Sequence, residues 1–210
     1  MRALAFTALA VLTLASAPPA SAATDGAAPP AAKEDRANAA PAAKGDIPLS
    51  ERSLDDLYAA LATEKDEAAA DAAEREIQRR WMISGSDTVD LLMSWAQDAM
   101  TRQDFGTALS YLDTVTILKP NYAEGWNRRA TLHFMRDDYG KAIADLEKVI
   151  RLEPRHFGAL SGLGMMLREI GEEDAALPVL RRALEIDPRL SDEVRKAVDE
   201  LALKVEGSPI

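Results

Sequence analysis

Apolar and small side chains recur at a fixed spacing over the second half of the chain. Three blocks begin at Val89, Ala123 and Phe157, each 34 residues after the last, and in register their columns hold one chemical type. The small columns are Ala96/Ala130/Gly164, Ala108/Ala142/Ala176 and Val115/Val149/Ala183, the large ones are Leu92/Trp126/Leu160, Leu112/Leu146/Leu180 and Leu118/Leu152/Ile186, and Pro120, Pro154 and Pro188 close the blocks. This pattern predicts three copies of one structural unit.

The columns within a block have the spacing of two antiparallel helices. In the second half of the middle block, Ala142, Leu146, Val149 and Ile150 fall on one helical stripe. Small residues let paired helices approach closely, and large ones fill the space to the next pair. A proline cannot continue a helix, so each unit ends there. Polar turns at Gln103-Asp104 and Asp137-Asp138, and Gly171 in the third block, separate the paired helices.

These columns resemble the tetratricopeptide repeat (TPR), a helix-turn-helix unit of 34 residues with a closing proline. The resemblance spans Val89 to Leu190. It implies an all-α fold, a right-handed α-solenoid of three TPR hairpins at residues 89–122, 123–156 and 157–190. The chain departs from the family pattern at Arg129, where a large apolar residue is usual, and at Glu173, where an aromatic is usual. Pro178 lies near the start of a helix, where it is tolerated.

Both flanks of the repeats are predicted to be helical. Residues 49–88 resemble a degenerate helical hairpin, with helices over Ser53–Ala62 and Glu64–Met82, and we expect it to shield the first true hairpin. The alternative is a helical pair that moves independently. Residues 191–206 are predicted to form a capping helix, since Ser191 precedes an acidic first turn and an apolar stripe.

The N-terminus has the features of an export signal. Residues 1–22 combine a basic start, an apolar run too short to span a bilayer, and the small-residue motif Ala20-Ser21-Ala22, so we expect cleavage after Ala22. Residues 23–48 are rich in Ala and Pro and are predicted to be a disordered tether. These features predict a periplasmic protein, with secretion as an alternative, and a mature chain with no membrane span.

Composition and charge exclude several function classes. The chain has 35 acidic and 25 basic residues and a net charge of −10, which argues against nucleic acid as a partner. It has no cysteine, so thiol catalysis and thiolate metal sites are excluded. His133 lies within the first helix of the middle block and is predicted to be a packing residue, and His156 is predicted to lie in a turn. No residue set predicts catalysis, a metal site or a cofactor, and we expect no enzyme activity.

The resemblance implies a protein or peptide partner, because first helices of TPR hairpins line a concave groove. The inward-facing positions carried over from the family are Met93, Gln97 and Met100 in the first block, Asn127, Arg128, Thr131, Phe134 and Met135 in the second, and Ser161, Met165 and Arg168 in the third. The sequence therefore predicts an interaction scaffold or adaptor in the cell envelope. The alternatives are a self-associating structural protein, which light scattering would reveal, and more remotely an enzyme or small-ligand binder.

Overall fold

The structure, a computed structural model, describes residues 47–207, and every regular element in that range is helical. A 3₁₀ turn (Leu49–Glu51) precedes helices α1 (Leu54–Thr63), α2 (Glu67–Trp81), α3 (Asp87–Thr101), α4 (Phe105–Leu118), α5 (Ala123–Met135), α6 (Tyr139–Leu152), α7 (Phe157–Glu169), α8 (Glu173–Ile186) and α9 (Asp192–Val205). The predicted signal peptide and residues 23–46 of the predicted tether lie outside the described residues.

Three equivalent turns join the paired helices. Gln103, Asp137 and Gly171, spaced 34 residues apart, have φ values of 58°, 58° and 88°, the left-handed conformation that ends many helices. The amide that follows each of them donates to the carbonyl five residues back, as Asp104 does to Ala99. Side chains cap the starts of α1, α2, α3, α4 and α7, among them Ser53, which accepts from the Asp56 amide. Ser191 lies at the start of α9, but its side chain makes no capping bond. The polar turns predicted from the sequence are confirmed.

Three hairpins stack into the predicted solenoid. The hairpins are hairpin 1 (α3–α4), hairpin 2 (α5–α6) and hairpin 3 (α7–α8). The second helix of each hairpin packs on the helix that follows it: α4 on α5, α6 on α7, and α8 on α9. The small-residue columns lie in the cores, where Ala96, Ala130 and Gly164 are almost fully buried. Helix α8 continues through Pro178. The repeat fold and the capping helix are confirmed.

At one pair of equivalent positions, one on each helix of a hairpin, the three hairpins hold different kinds of side chain. In hairpin 1, Trp95 lies against Tyr111 with ring centroids 5.6 Å apart. The residues 34 positions later, Arg129 and Asp145, form a two-bond ion pair of 2.7 and 2.8 Å, and in hairpin 3 the pair is Leu163 and Val179, which belong to one apolar cluster. Arg129 also donates to Asp113 and Thr116 of α4, and thereby joins hairpins 1 and 2.

The N-terminal hairpin (α1–α2) packs at an unexpected place. Its apolar residues share a core cluster with hairpin 3; the members are Leu57, Tyr58, Leu61, Ala73, Ile77, Phe157, Leu160, Ala183 and Ile186. The core cluster around α3 and α4 has no residue of α1 or α2 among residues 47–207. The expectation that this hairpin shields hairpin 1 is wrong, and so is the alternative of an independent pair. The N-terminal hairpin instead folds back onto hairpin 3, where the apolar face of α1 is buried.

The outer faces of α5 and α7 are covered by α4 and α6, the second helices of the preceding hairpins. Since α1 and α2 pack elsewhere, no such helix in the described part of the chain covers the outer face of α3. Leu91 and Trp95 are 48% and 44% exposed on this face. At the position equivalent to Leu91, hairpin 2 has Gly125, where an added Cβ would lie 2.6 Å from Val115 Cγ1. The bulk of Leu91 is therefore compatible only with an open end of the solenoid.

Candidate partner-binding surfaces

The predicted groove residues lie on the inner face, the face formed by the first helices α3, α5 and α7. Some of these side chains are buried in the core, and others are exposed at the surface. Met93 is buried, and Met100 and Phe134 are half-buried against the cores of hairpins 1 and 2. The Ser161 hydroxyl donates to the Phe157 carbonyl of its own helix. Gln97, Thr131 and Met135 are exposed, so they are accessible to a partner.

Arg128 lies at the centre of a polar network on the inner face. Its Nε donates to Glu124 Oε1 at 2.7 Å, and its Nη1 donates to Gln97 Oε1 of the neighbouring hairpin at 2.9 Å. Asn127 Nδ2 donates to the other Glu124 oxygen at 3.0 Å. Arg128 therefore neutralises an internal carboxylate and joins α5 to α3, and its guanidinium is already engaged before any partner arrives.

Glu124 is the buried acceptor of this network, and sequence reasoning missed it. The residue is 5% exposed, and the Nε2 of His156 lies 3.4 Å from its Oε2. The Nδ1 of His156 accepts from the Ala159 amide, so the tautomer with a proton on Nε2 donates to Glu124. Burial acts to raise the pKa of Glu124, but the bond from His156 and the charge of Arg128 outweigh it and lower this pKa. His156 thus caps α7 and pairs with a carboxylate, beyond its predicted role as a turn residue.

The third predicted cluster meets the capping helix. Arg168 Nη2 donates to Glu200 Oε2 of α9 at 2.6 Å, and Met165 packs against the cluster that joins α8 and α9. Both side chains stabilise the cap, so hairpin 3 contributes less free surface than the family pattern implies. The open part of the inner face is the stripe of Arg128, Thr131 and Met135 on α5, with Gln97 beside it.

A second surface, which sequence reasoning also missed, is the hairpin 3 edge, defined by residues 155–160 and 183–190. The N-terminal hairpin occupies it. The Trp81 ring stacks on His156 with centroids 3.9 Å apart. Arg155 donates to Asp55 at 2.7 Å and lies 4.0 Å from the centre of the Tyr58 ring. No sequence period marks the contacts of this edge, because they join residues as far as 122 positions apart, as between Arg189 and Glu67.

A cluster of like charges lies where α2 meets this edge. Glu74 of α2 faces the buried Asp187, with Asp71 close by and Arg189 3.4 Å from Asp71. Burial raises the pKa of Glu74, and the charge of Asp187 raises it further. Burial also raises the pKa of Asp187, against the opposing effects of Arg189. Three carboxylates share one principal cation, so the contact is less stable when all are ionised.

The raised pKa values give a pH dependence with a definite sign. A carboxyl whose pKa is higher in the docked state binds its proton more tightly there, so docking is favoured at low pH. We expect exchange protection of the α1 and α2 amides, corrected for intrinsic rates, to fall as pH rises through the raised pKa values of Glu74 and Asp187. The Glu74→Gln variant, which removes one of the two titrating groups, should show a shallower fall. Protection that increases with pH in the wild type would contradict this prediction.

Within residues 47–207, no helix has the length and apolarity needed to cross a membrane. Over the same range, no group of three or more His, Asp or Glu side chains is placed to hold a metal ion. The carboxylates in the turns, such as Asp137, are exposed.

Stacked helix-turn-helix units with an exposed inner face define a repeat protein of the scaffold class. The family model described as "Tetratricopeptide repeat" matches residues 93–147 and 129–190. A TPR repeat-containing protein of Rhizobium etli is 41% identical over 158 residues, which are 75% of this chain and 77% of that protein. The chain belongs to the tetratricopeptide repeat family.

Solved structures agree on the fold. The first TPR of Spaghetti (RPAP3) bound to the HSP90 peptide SRMEEVD has a TM-score of 0.54 at 16% identity, and covers 58% of this chain and 95% of its own. MamA from Desulfovibrio magneticus RS-1 has a TM-score of 0.52 at 26% identity, and covers 57% of this chain and 66% of its own. This chain is similar to both over its solenoid. Its family and fold are those of protein–protein interaction scaffolds.

Proposed function

We propose that this protein is an exported scaffold that holds a peptide or helix of a partner protein on its inner face. The observation that carries the proposal is the pair of exposed side chains Thr131 and Met135, which lie one helical turn apart on α5, with the exposed Gln97 of α3 joined to α5 through Arg128. Met135 is 47% exposed and offers an adaptable apolar contact, while Gln97 and Thr131 offer hydrogen bonds. Such a surface fits a segment with alternating apolar and polar side chains.

The charge of the partner segment follows from the paired arginines. Arg128 is bonded to Glu124 and Arg168 to Glu200, so neither offers a free cation to a carboxylate. Spaghetti binds the peptide SRMEEVD, which contains two glutamates and an aspartate. We therefore infer that this chain takes a segment with less negative charge than that peptide, which also suits the net charge of −10.

The N-terminal sequence supports a periplasmic location. The basic start, the apolar run and the Ala20-Ser21-Ala22 motif in residues 1–22 are those of a cleavable signal, and cleavage after Ala22 would leave Ala23 as the first residue. The partner is then a protein of the cell envelope. Mass spectrometry of the N-terminal peptide from periplasmic fractions tests this location, and an uncleaved Met1 peptide would contradict it.

Site-specific photo-crosslinking tests the inner face. A photoreactive residue at Thr131 or Met135 is expected to capture the same partner proteins from envelope fractions, because both positions are exposed on one stripe of α5. Matched controls carry the photoreactive residue at Ser110 or Thr114, which are equally exposed on the second helix α4. Equal capture from α4 and α5 positions would contradict the proposal.

The charge reversal is best made at Arg168. Arg128→Glu would place a second carboxylate beside the buried Glu124 and would disturb the fold as well as the surface. Arg168→Glu replaces an exposed pair with a solvent-screened repulsion from Glu200. The neutral variant Arg128→Gln adds no charge beside Glu124, which keeps its contacts with Asn127 and His156. Loss of crosslinks in either variant, with the helical circular dichroism unchanged, locates the partner on the inner face.

A further inference from the structure

The N-terminal hairpin and the hairpin 3 edge meet through a contact that leaves polar atoms without bonds. Five buried side-chain nitrogen or oxygen atoms in residues 47–207 have no hydrogen bond of normal geometry, and four belong to this contact: the Tyr58 hydroxyl and the Trp81 indole nitrogen, which interact with each other outside that geometry, and Nε and Nη2 of Arg189. Buried polar atoms without partners oppose burial. The stacked hairpins have one such atom, in His133. This contact is therefore much less complete than those between the hairpins.

The apolar part of the contact is nevertheless well formed. Leu57 and Leu61 of α1 are 0% and 1% exposed and share a cluster with Phe157, Leu160 and Ile186 of hairpin 3. Removal of the N-terminal hairpin would expose these large side chains together. Exposed apolar surface of this kind marks a binding site for another protein. The hairpin 3 edge is thus an apolar docking surface that the chain covers with its own helices.

Charge at the edge specifies what it accepts. The edge presents Arg155 and Arg189, which the N-terminal hairpin meets with Asp55 at 2.7 Å and Asp71 at 3.4 Å. The edge also holds the buried Asp187, whose charge opposes a nearby acid, so an acidic residue is favoured only at the two arginine positions. A competing segment needs the same features, which are large apolar residues on one helical stripe and acidic residues beside it. The bound hairpin is itself the example of the ligand that fits.

We propose that the N-terminal hairpin is a displaceable cover and that the hairpin 3 edge beneath it binds an acidic amphipathic helix of a partner protein. This surface adjoins the inner face, because His156 of the edge bonds Glu124 and Arg128 Nη2 donates to Met82 Sδ, but the inference does not depend on the proposed function. The cover stays attached when it opens because the chain runs on from α2 into α3. The segment between them is held on hairpin 1, where the Tyr122 hydroxyl donates to the Met82 carbonyl and Lys119 Nζ donates to the Ser84 carbonyl. A tethered cover competes at high effective concentration, so it weakens partner binding in the closed state.

A peptide that copies the cover provides the probe. A fluorescein-labelled synthetic peptide of residues 53–82 is titrated with the full mature chain, and binding is followed by fluorescence anisotropy. The wild type is expected to bind weakly, because its own cover occupies the edge. The Leu57→Asp/Leu61→Asp variant, whose cover cannot dock, should bind at least about tenfold more tightly. Equal affinity of this variant and the wild type would overturn the proposal.

Two controls test closure and charge. The chain has no cysteine, so Asp55→Cys/Arg155→Cys joined by a short bismaleimide holds the cover closed at one defined site, and this protein should not bind the peptide. A peptide with Asp55→Arg and Asp71→Arg should bind the opened variant at least about tenfold more weakly. Binding by the closed protein, or no effect of the charge reversal, would contradict the assignment of the edge.

Further measurements separate other outcomes. If the Leu57→Asp/Leu61→Asp variant loses helical structure in hairpins 1–3, the Asp55→Arg/Asp71→Arg variant takes its place. This variant opens the cover by removing two ion pairs, and it is expected to show the same gain in affinity for the peptide. If light scattering shows that the opened variants dimerise and that the dimer excludes the peptide, the occupant is a second copy and the partner assignment is overturned. Thr131→Glu should leave peptide binding unchanged, so a failure of the inner-face proposal is distinguishable from a failure of this one.

Discussion

The Arg129→Leu variant is expected to lose about 3 kcal/mol of its free energy of unfolding, because it leaves Asp145 buried without its cation. Asp145 is 5% exposed, and both of its oxygens accept from Arg129. Arg129 also bonds Asp113 and Thr116 of α4, so the same change weakens the contact between hairpins 1 and 2. Denaturant unfolding followed by far-ultraviolet circular dichroism measures the loss.

The equivalent pair in hairpin 3 supplies the matched rescue. Leu163 and Val179 occupy the positions of Arg129 and Asp145 and pack in one apolar cluster. The double variant Arg129→Leu/Asp145→Val should recover most of the lost stability, because an apolar pair replaces a buried ion pair at little net cost. Arg151→Leu, which breaks an exposed pair with Glu147, should change the stability by less than about 0.5 kcal/mol. A double variant no more stable than the single one would contradict this explanation.

Two glycines of α7 are expected to respond in opposite ways to alanine. A Cβ at Gly164 would lie 2.5 Å from Cγ and Cδ2 of Leu180 and 3.3 Å from its backbone nitrogen, so α7 and α8 would have to separate. We expect Gly164→Ala to destabilise the protein by about 1–3 kcal/mol. A Cβ at Gly162 would meet only Leu146 Cδ1, at an ordinary 3.7 Å. Gly162→Ala should therefore stabilise the helix by up to about 1 kcal/mol.

Thermal and denaturant unfolding of the two variants measures this difference. The comparison is sharp because both changes add one methyl group to the same helix and only the facing residue differs. Hairpins 1 and 2 carry Ala96 and Ala130 at the position of Gly164, so a consensus argument would predict that alanine is harmless there. Equal effects at positions 162 and 164 would show that helix propensity, and not the close approach of α8, controls the stability.

The inner face illustrates how far a family pattern extends. The positions carried over from the family include Gln97, Thr131 and Met135, which are exposed, and Met93, which is 7% exposed and belongs to the core. The position of a residue in a helix indicates the direction of its side chain, but not which neighbouring side chain bonds to it. Glu124 engages Arg128, and Glu200 of α9 engages Arg168. The first pair has a signal in the sequence, because Glu124 lies four residues before Arg128 on one helix. The second has none, because Glu200 is 32 positions from Arg168 and lies on another helix.

The repeat architecture follows from the sequence alone, since its causes are local. A period of 34 residues, polar turns at 103, 137 and 171, and the closing prolines each act within a few residues, so the sequence predicts where helices begin, end and pair. The place of the N-terminal hairpin was decided only by the tertiary structure. Its helices were predictable, but their contacts pair Asp55 with Arg155 and Asp71 with Arg189, far apart in sequence and outside the repeat period. Such contacts depend on which apolar surface stays uncovered once the three hairpins have stacked.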